Sequence, residues 1–191
     1  MFSGIIEDIG IVESFDKKNN VLSINTKLQK IKIGESISCA GVCLTVSKKK
    51  TGILSFNLSK ETLIKSNIGT LVKGSSINIE KSLKIGQEIS GHFVFGHVDG
   101  LSKIKRITKV GQSWIFLIES DAHITKYLSS KCSISLDGVS LTVNNLKKKS
   151  FEVCIIPHTW ENTTLQLNNV GDFFNTEIDM LARYVFKALN K

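Results

Sequence analysis

Apolar and polar residues alternate along this chain in short runs, each closed by glycine, asparagine or lysine. Ile5, Ile6, Ile9, Ile11 and Val12, interrupted by Gly4 and Gly10, predict a strand over residues 1–12. Asp16-Lys17-Lys18-Asn19-Asn20 predicts a polar turn, and Val21-Leu22-Ser23-Ile24 starts another strand. The pattern continues over residues 34–46, 53–58 and 74–80, with a helical turn over 60–64. Trp114-Ile115-Phe116-Leu117-Ile118 is a compact apolar strand in the second half.

The second half repeats the first. Cys39-Ala40-Gly41-Val42-Cys43-Leu44-Thr45-Val46 returns, 97 residues on, as Leu136-Asp137-Gly138-Val139-Ser140-Leu141-Thr142-Val143. Extended back to Gly34 and Lys131, the pair gives 13 aligned positions with 8 identities, where chance gives about one. Phe93-Val94-Phe95-Gly96-His97-Val98-Asp99-Gly100 answers residues 1–8 at an offset of 92, and Gly171, Asn175 and Glu177 match Gly74, Asn78 and Glu80 identically. A period near half the chain means two copies of one unit. Short strands separated by turns, about six per copy, predict a closed antiparallel barrel, which also leaves no sheet edge bare. The expected class is all-β: two tandem six-stranded barrels over 1–88 and 89–178, then a helix over 179–191. The sole proline, Pro157, follows a strand, where its missing N–H disturbs no ladder.

The tail has no counterpart in the first copy. Ile178, Leu181, Ala182, Val185 and Leu189 fall on one helical stripe, and Asp179, Arg183 and Lys187 lie on the other face. Such a stripe requires cover from a barrel or from other subunits' helices, and three helices around an axis would supply it.

Composition narrows the picture. With 41% hydrophobic and 22% charged residues, the chain has the make-up of a globular protein. No apolar run approaches the roughly 20 residues that span a bilayer. The first residues lack the basic segment of a signal peptide, so cytoplasm is the expected compartment and Cys39, Cys43, Cys132 and Cys154 are expected to be reduced thiols. The formal charge of +8 raises the question of nucleic acid, but Lys48-Lys49-Lys50 and Lys147-Lys148-Lys149 stand at equivalent turns, as solvated lysines do. The phenylalanines sit in apolar strand contexts rather than along a basic groove, against a single-stranded nucleic acid site.

The copies agree in scaffold and differ at polar positions: Cys43 faces Ser140, Ala40 faces Asp137, Ile5 faces His97 and Glu61 faces His158. Strand alternation places Cys43 with Thr45, and Ser140 with Thr142, on one face. Small hydroxyl and thiol groups on one face can orient a planar heterocycle, though threonine is also a good strand residue and a cysteine a small core filler. His92 and His97, five apart on an expected strand, point to opposite faces and cannot chelate one metal from it. No metal site is expected. His97, beside Gly96, can hydrogen-bond a ligand or serve as a satisfied core histidine. No phosphate loop, dinucleotide fingerprint or nucleophile elbow is present. Residue chemistry alone therefore reaches a duplicated barrel with paired small-molecule pockets.

Six segments in order carry a resemblance across the whole chain: Met1-Phe2-Ser3-Gly4-Ile5-Ile6-Glu7, GVCLTV at 41–46, GHFVFGHVDG at 91–100, LDGVSLTV at 136–143, IPHTWENTTL at 156–165 and NTEIDMLARYV at 175–185. Together they resemble the riboflavin synthase α-chain family. The resemblance implies two similar barrels, a homotrimer gathered by the C-terminal helix, and a dismutation of two 6,7-dimethyl-8-ribityllumazine molecules without cofactor or metal. Each active site would form between the first barrel of one subunit and the second barrel of a neighbour. The first pocket would use Gly4, Ile5, Ile6, Cys43, Leu44, Thr45, Asn57, Leu58, Ser59, Lys60, Glu61 and Thr62. The second would use Gly96, His97, Val98, Lys131, Ser140, Leu141, Thr142, Ile155, Ile156, Pro157, His158, Thr159 and Trp160. His97, Ser140 and Cys43 would assist proton transfer and addition, Thr142 would orient a ring, and Asp179 would act across the subunit boundary. Lumazine synthase, which makes the substrate, is the candidate protein partner; no nucleic acid or membrane partner is expected.

The chain departs from the family pattern at Phe95, where serine is usual, at Ala40, where asparagine is common, at Ser59-Lys60-Glu61-Thr62 in place of a proline-containing turn, and at Trp160 in place of leucine. These bear on pocket shape and ligand preference. The rival reading is a non-catalytic relative that carries lumazine or flavin; such relatives lose second-pocket groups, whereas His97, Ser140, Thr142 and Pro157-His158-Thr159 remain.

Overall fold

Each alternating run becomes an antiparallel strand whose apolar face points into one of two barrels. The structure, a computed structural model, describes residues 1–189; of the helix expected over 179–191, Asn190 and Lys191 lie outside the described residues. The first barrel consists of β1 (Asp8–Asp16), β2 (Val21–Asn25), β3 (Ser36–Cys39), β4 (Val42–Lys50), β5 (Ile53–Asn57) and β6 (Ser76–Lys81). They close in the order β1-β2-β5-β4-β3-β6. The second contains β7 (Gly100–Val110), β8 (Ser113–Glu119), β9 (Ser133–Leu136), β10 (Val139–Lys147), β11 (Ser150–Ile155) and β12 (Phe173–Ile178). Read from β7, its order is the same. Register shifts in β1, β4, β7 and β10 bend the long strands at matching places, as closure of a six-stranded sheet demands.

Short helices α1 (Lys60–Lys65) and α3 (Pro157–Glu161) follow β5 and β11 at equivalent places; α2 (Ala122–Thr125) belongs to the second barrel alone. Leu22, Ile37, Phe56, Ile68 and Ile79 fill the first core, and Ile104, Phe116, Phe151, Leu165 and Phe174 the second.

The strand expected over residues 1–12 starts only at Asp8 and runs on to Asp16. Gly4, with φ of 77°, turns the chain out of strand geometry, and the Glu80 carboxylate takes the Ser3 and Gly4 N–H groups in place of a neighbouring strand. Residues 1–7 are thus a strap, as are residues 93–99, and the two straps meet where Phe2 pairs with Val94.

The barrels abut at two hairpin tips. Ala40 and Gly41 have φ of 45° and 77°, and Asp137 and Gly138 have 45° and 82°, the doubly left-handed turn of a tight hairpin. A methyl group on Gly41 would lie 2.6 Å from the Gly138 nitrogen, so both glycines are needed for the tips to touch. Around them the Asn78 amide donates to the Asp137 carbonyl at 3.0 Å, and that of Asn175 donates to the Ala40 carbonyl at 2.9 Å.

The C-terminal helix α4 covers Met180–Leu189, and Ile178 of the expected stripe belongs instead to β12. Arg183 pairs with Asp99, and the Phe186 ring meets Tyr127 edge-on at 4.9 Å. Leu181, Val185 and Leu189 stay 62%, 58% and 78% exposed, so the chain's own barrels do not cover the stripe.

Candidate functional site

In the strand that carries the repeated motif, alternation sends Leu44 and Leu141 into the cores. It leaves Cys43 and Ser140 half-buried on the outer face, with Thr45 and Thr142 exposed beside them. What covers Cys43 and Ser140 differs from the expected grouping. The Gly96 carbonyl, from the second copy, accepts the Cys43 N–H at 2.9 Å; the Gly4 carbonyl, from the first, accepts the Ser140 N–H at 2.8 Å. Val98 packs on the first core and Ile6 on the second. The straps are exchanged between barrels: Gly96, His97 and Val98 lie with Cys43, and Gly4, Ile5 and Ile6 with Ser140. The grouping implied by the family resemblance puts each strap with its own barrel. Glycine at each crossing permits the exchange by letting the strap backbone lie on the strand, where a Gly96 methyl would come within 2.5 Å of the Cys43 Cβ.

At the first crossing a cavity of about 570 Å³ opens, within the range of small-molecule sites. Val42, Cys43, Ser59, Glu61, Thr62, Lys65 and Ser66 line one side, and Gly96, His97, Val98, Asp99, Met180 and Arg183 the other. Ser59 shapes its wall by capping α1: its hydroxyl accepts the Thr62 N–H at 3.0 Å. His97 is exposed to this cavity, its backbone N–H held by Glu177. Asn57 and Lys60 are exposed, and Leu58 is buried in the first core; none of the three lines the cavity.

At the second crossing Ser140 gains a partner that spacing did not reveal. His92 Nδ1 lies 2.7 Å from Ser140 Oγ, and the His92 ring is buried. Burial holds the imidazole below its ordinary pKa, opposed by the negative charge of Asp179. A neutral ring can take the hydroxyl proton or donate its own. Its Nε2 is buried without a hydrogen-bond partner among the described residues. Asp179, half-buried, caps α4 by accepting the Leu181 N–H at 2.9 Å. Ile156 and His158 are exposed, Pro157 and Thr159 half-buried, and Ile155 lies in the second core. Trp160 stacks flat on Trp114 at 4.0 Å and packs on that core, which fixes α3 to the barrel. Lys131 is exposed, with its ammonium donating to Asn144 at 2.6 Å.

Two buried carboxylates organise both crossings. Glu80 accepts from Ser3 N–H and hydroxyl at 2.7 Å each and from Gly4 N–H at 3.0 Å. Glu177 accepts from the N–H groups of Phe95, Gly96 and His97 at 2.7, 2.8 and 3.1 Å. Burial pushes the Glu177 carboxyl up to about 7 despite these donors, and raises that of Glu80 too. Their identity at matching repeat positions was the signal for them. For His92, Asp99, Lys65 and Arg183 the sequence carried no comparable signal.

The lumazine binding domain model matches residues 3–82 and 95–179. Riboflavin synthase of Brucella abortus (strain 2308) is 40% identical over 193 residues, covering 96% of each chain. That of Bacillus subtilis (strain 168) is 35% identical over 195 residues, covering all of this chain and 91% of the relative. Among solved structures, LumP complexed with riboflavin matches with a TM-score of 0.84 over 93% of this chain and 99% of that one. Its 18% identity makes it a likeness of fold.

Proposed function

Because the chain belongs to the riboflavin synthase family, with a lumazine binding domain in each half, we propose that its two strap crossings are the two halves of one catalytic arrangement. The activity is that of riboflavin synthase: two 6,7-dimethyl-8-ribityllumazine molecules become riboflavin and 5-amino-6-ribitylamino-uracil. One lumazine gives four carbons to the other, and the atoms of the two products sum to those of the two substrates. The observation that carries this reading is the full-length relationship at 40% identity.

The chemistry requires loss of a proton from the C7 methyl of one lumazine and addition of a nucleophile at C7 of the other. Stacking two flat rings face to face supplies the larger share, since effective molarity is worth about 7–11 kcal/mol. Proton transfer adds about 10²–10⁴-fold. On this proposal Cys43 and His97 serve the ring at the first crossing, and Ser140, assisted by His92, serves the ring at the second. Thr142 orients that ring and Asp179 acts across the subunit boundary. Backbone groups of the straps and of the Cys43 and Ser140 strands hold the ring systems. Hydroxyls of Ser59, Thr62 and Thr159 hold the ribityl chains.

The open face of α4 supports a homotrimer, in which the first barrel of one subunit meets the second barrel of the next. Cytoplasm is the proposed compartment; no helix among the described residues is long and apolar enough to cross a membrane. Association with lumazine synthase is the partner proposal, tested by co-sedimentation of the two proteins. Titration of the protein with riboflavin, followed by quenching of flavin fluorescence, tests the two-crossing reading. Two sites per chain are expected, and a single site per chain would overturn it.

A further inference from the structure

The two straps are clamped to one barrel and used by the other. Within its own barrel each strap is held twice. Glu80 on β6 receives the Ser3 and Gly4 N–H groups, and a few residues on, Glu7 of the strap accepts the Lys81 N–H at 2.8 Å. In the second copy Glu177 on β12 receives Phe95, Gly96 and His97, and Asp99 accepts the Ile178 N–H at 2.9 Å. Between these clamps each strap gives one backbone carbonyl to a strand of the other barrel, Gly4 to the Ser140 N–H and Gly96 to the Cys43 N–H, while the Ser3 carbonyl also accepts the His92 N–H at 3.1 Å. Both glycines have left-handed φ, 77° and 78°, and neither has room for a methyl group against the strand it touches.

We propose that Glu80 and Glu177 are positioning residues acting across the barrel boundary: Glu177 sets the backbone at Cys43 and His97, and Glu80 sets the backbone at Ser140. The proposal rests on the functional reading above for its significance, since it makes each half-site depend on a carboxylate of the opposite barrel. Burying a carboxyl group is unfavourable unless its hydrogen bonds are met, and here they are met by strap amides. A carboxylate offers acceptors on both oxygens, as three convergent N–H donors require. A glutamine of the same size turns one acceptor into a donor that opposes a strap N–H. That misfit loosens the strap and frees the far-barrel amide that depends on its carbonyl.

Amide hydrogen exchange, read residue by residue in the intact protein, tests this without reference to turnover. Compared with the wild type at pH 8, where the Glu177 carboxyl is ionised, Glu177→Gln is expected to quicken exchange at Cys43 about tenfold or more while Ser140 keeps its protection; in Glu80→Gln the pattern reverses. Should a glutamine variant not fold, Glu177→Asp and Glu80→Asp give the same test, since each keeps the charge but shortens its reach to the strap amides, and the same crossed pattern of exchange is expected. Activity follows, with kcat of Glu177→Gln falling about tenfold through His97 and KM changing less. Unchanged protection at both amides, equal loosening of both, or loosening confined to the barrel that carries the substitution would each overturn the proposal. If turnover were absent from the wild-type protein as well, the crossed exchange pattern would still decide it.

Discussion

A serine hydroxyl in water is a poor base and a poor nucleophile; one 2.7 Å from a buried imidazole has a proton acceptor in place in the tautomer that leaves Nδ1 bare. Replacing His92 by Gln keeps a polar group near Ser140 but removes that acceptor. The variant is expected to lose about 10²-fold in kcat with riboflavin binding nearly unchanged. Steady-state kinetics beside a binding titration check this, and wild-type kcat would remove His92 from the mechanism. His97 stood out in the sequence because Gly-His answers Gly-Ile of the first copy. His92 did not, since Ser140 lies 48 residues away and only barrel closure brings them together. The carboxyls give a pH signature. Burial raises Asp137 from 3.8 and Glu177 from 4.5 to about 7. Asp99 adds negative charge beside Glu177. Between those values the folded chain holds protons that the unfolded chain has released, so these groups' contribution to stability falls as pH rises and levels off above about 7. The stability of the wild type relative to Glu177→Gln should therefore drop by on the order of 2 kcal/mol between pH 5 and pH 7, measured by urea unfolding. A gap that does not change with pH would contradict it.

At the scale of elements, the hairpin tips and straps carry the arrangement. Gly41 needs both its left-handed φ and its bare Cα, because the other tip lies against it. Gly41→Ala is expected to lower stability by about 1–3 kcal/mol, more than an ordinary turn glycine, as thermal or urea unfolding would report. A change near zero would mean that the tips can separate without cost. Strands, turns and the duplicated order were legible because alternation and punctuation are local properties. The exchange of straps was not, since residues 1–7 and 93–99 have strand-like composition and nothing local says which barrel they will lie on. Their pairing depends on Gly4 and Gly96, and on carboxylates 76 and 81 residues away. Trp160 shows the same limit: the resemblance counts it with the second pocket, and its flat stack on Trp114 is a contact that no local pattern records.

For the whole molecule, the proposed reaction sets a geometric requirement: two rings, one at each kind of strap crossing, must come face to face. On the proposed homotrimer the exposed stripe of α4 supplies the means, since Leu181, Val185 and Leu189 are turned away from the chain's own barrels. Replacing all three by Gln is expected to convert a trimer to monomers in sedimentation and to abolish turnover while each barrel still binds riboflavin. Full activity in a monomer would show that one chain suffices. The helix itself was legible from its periodicity; that its stripe would be left uncovered depended on where Arg183 and Phe186 dock, which a linear pattern does not record. The central claim is tested most directly by incubating the purified protein anaerobically with 6,7-dimethyl-8-ribityllumazine alone and following both species by absorbance. The account predicts one riboflavin formed for every two lumazines consumed. Tight binding with no riboflavin formed would contradict it and make the chain a carrier of its ligand.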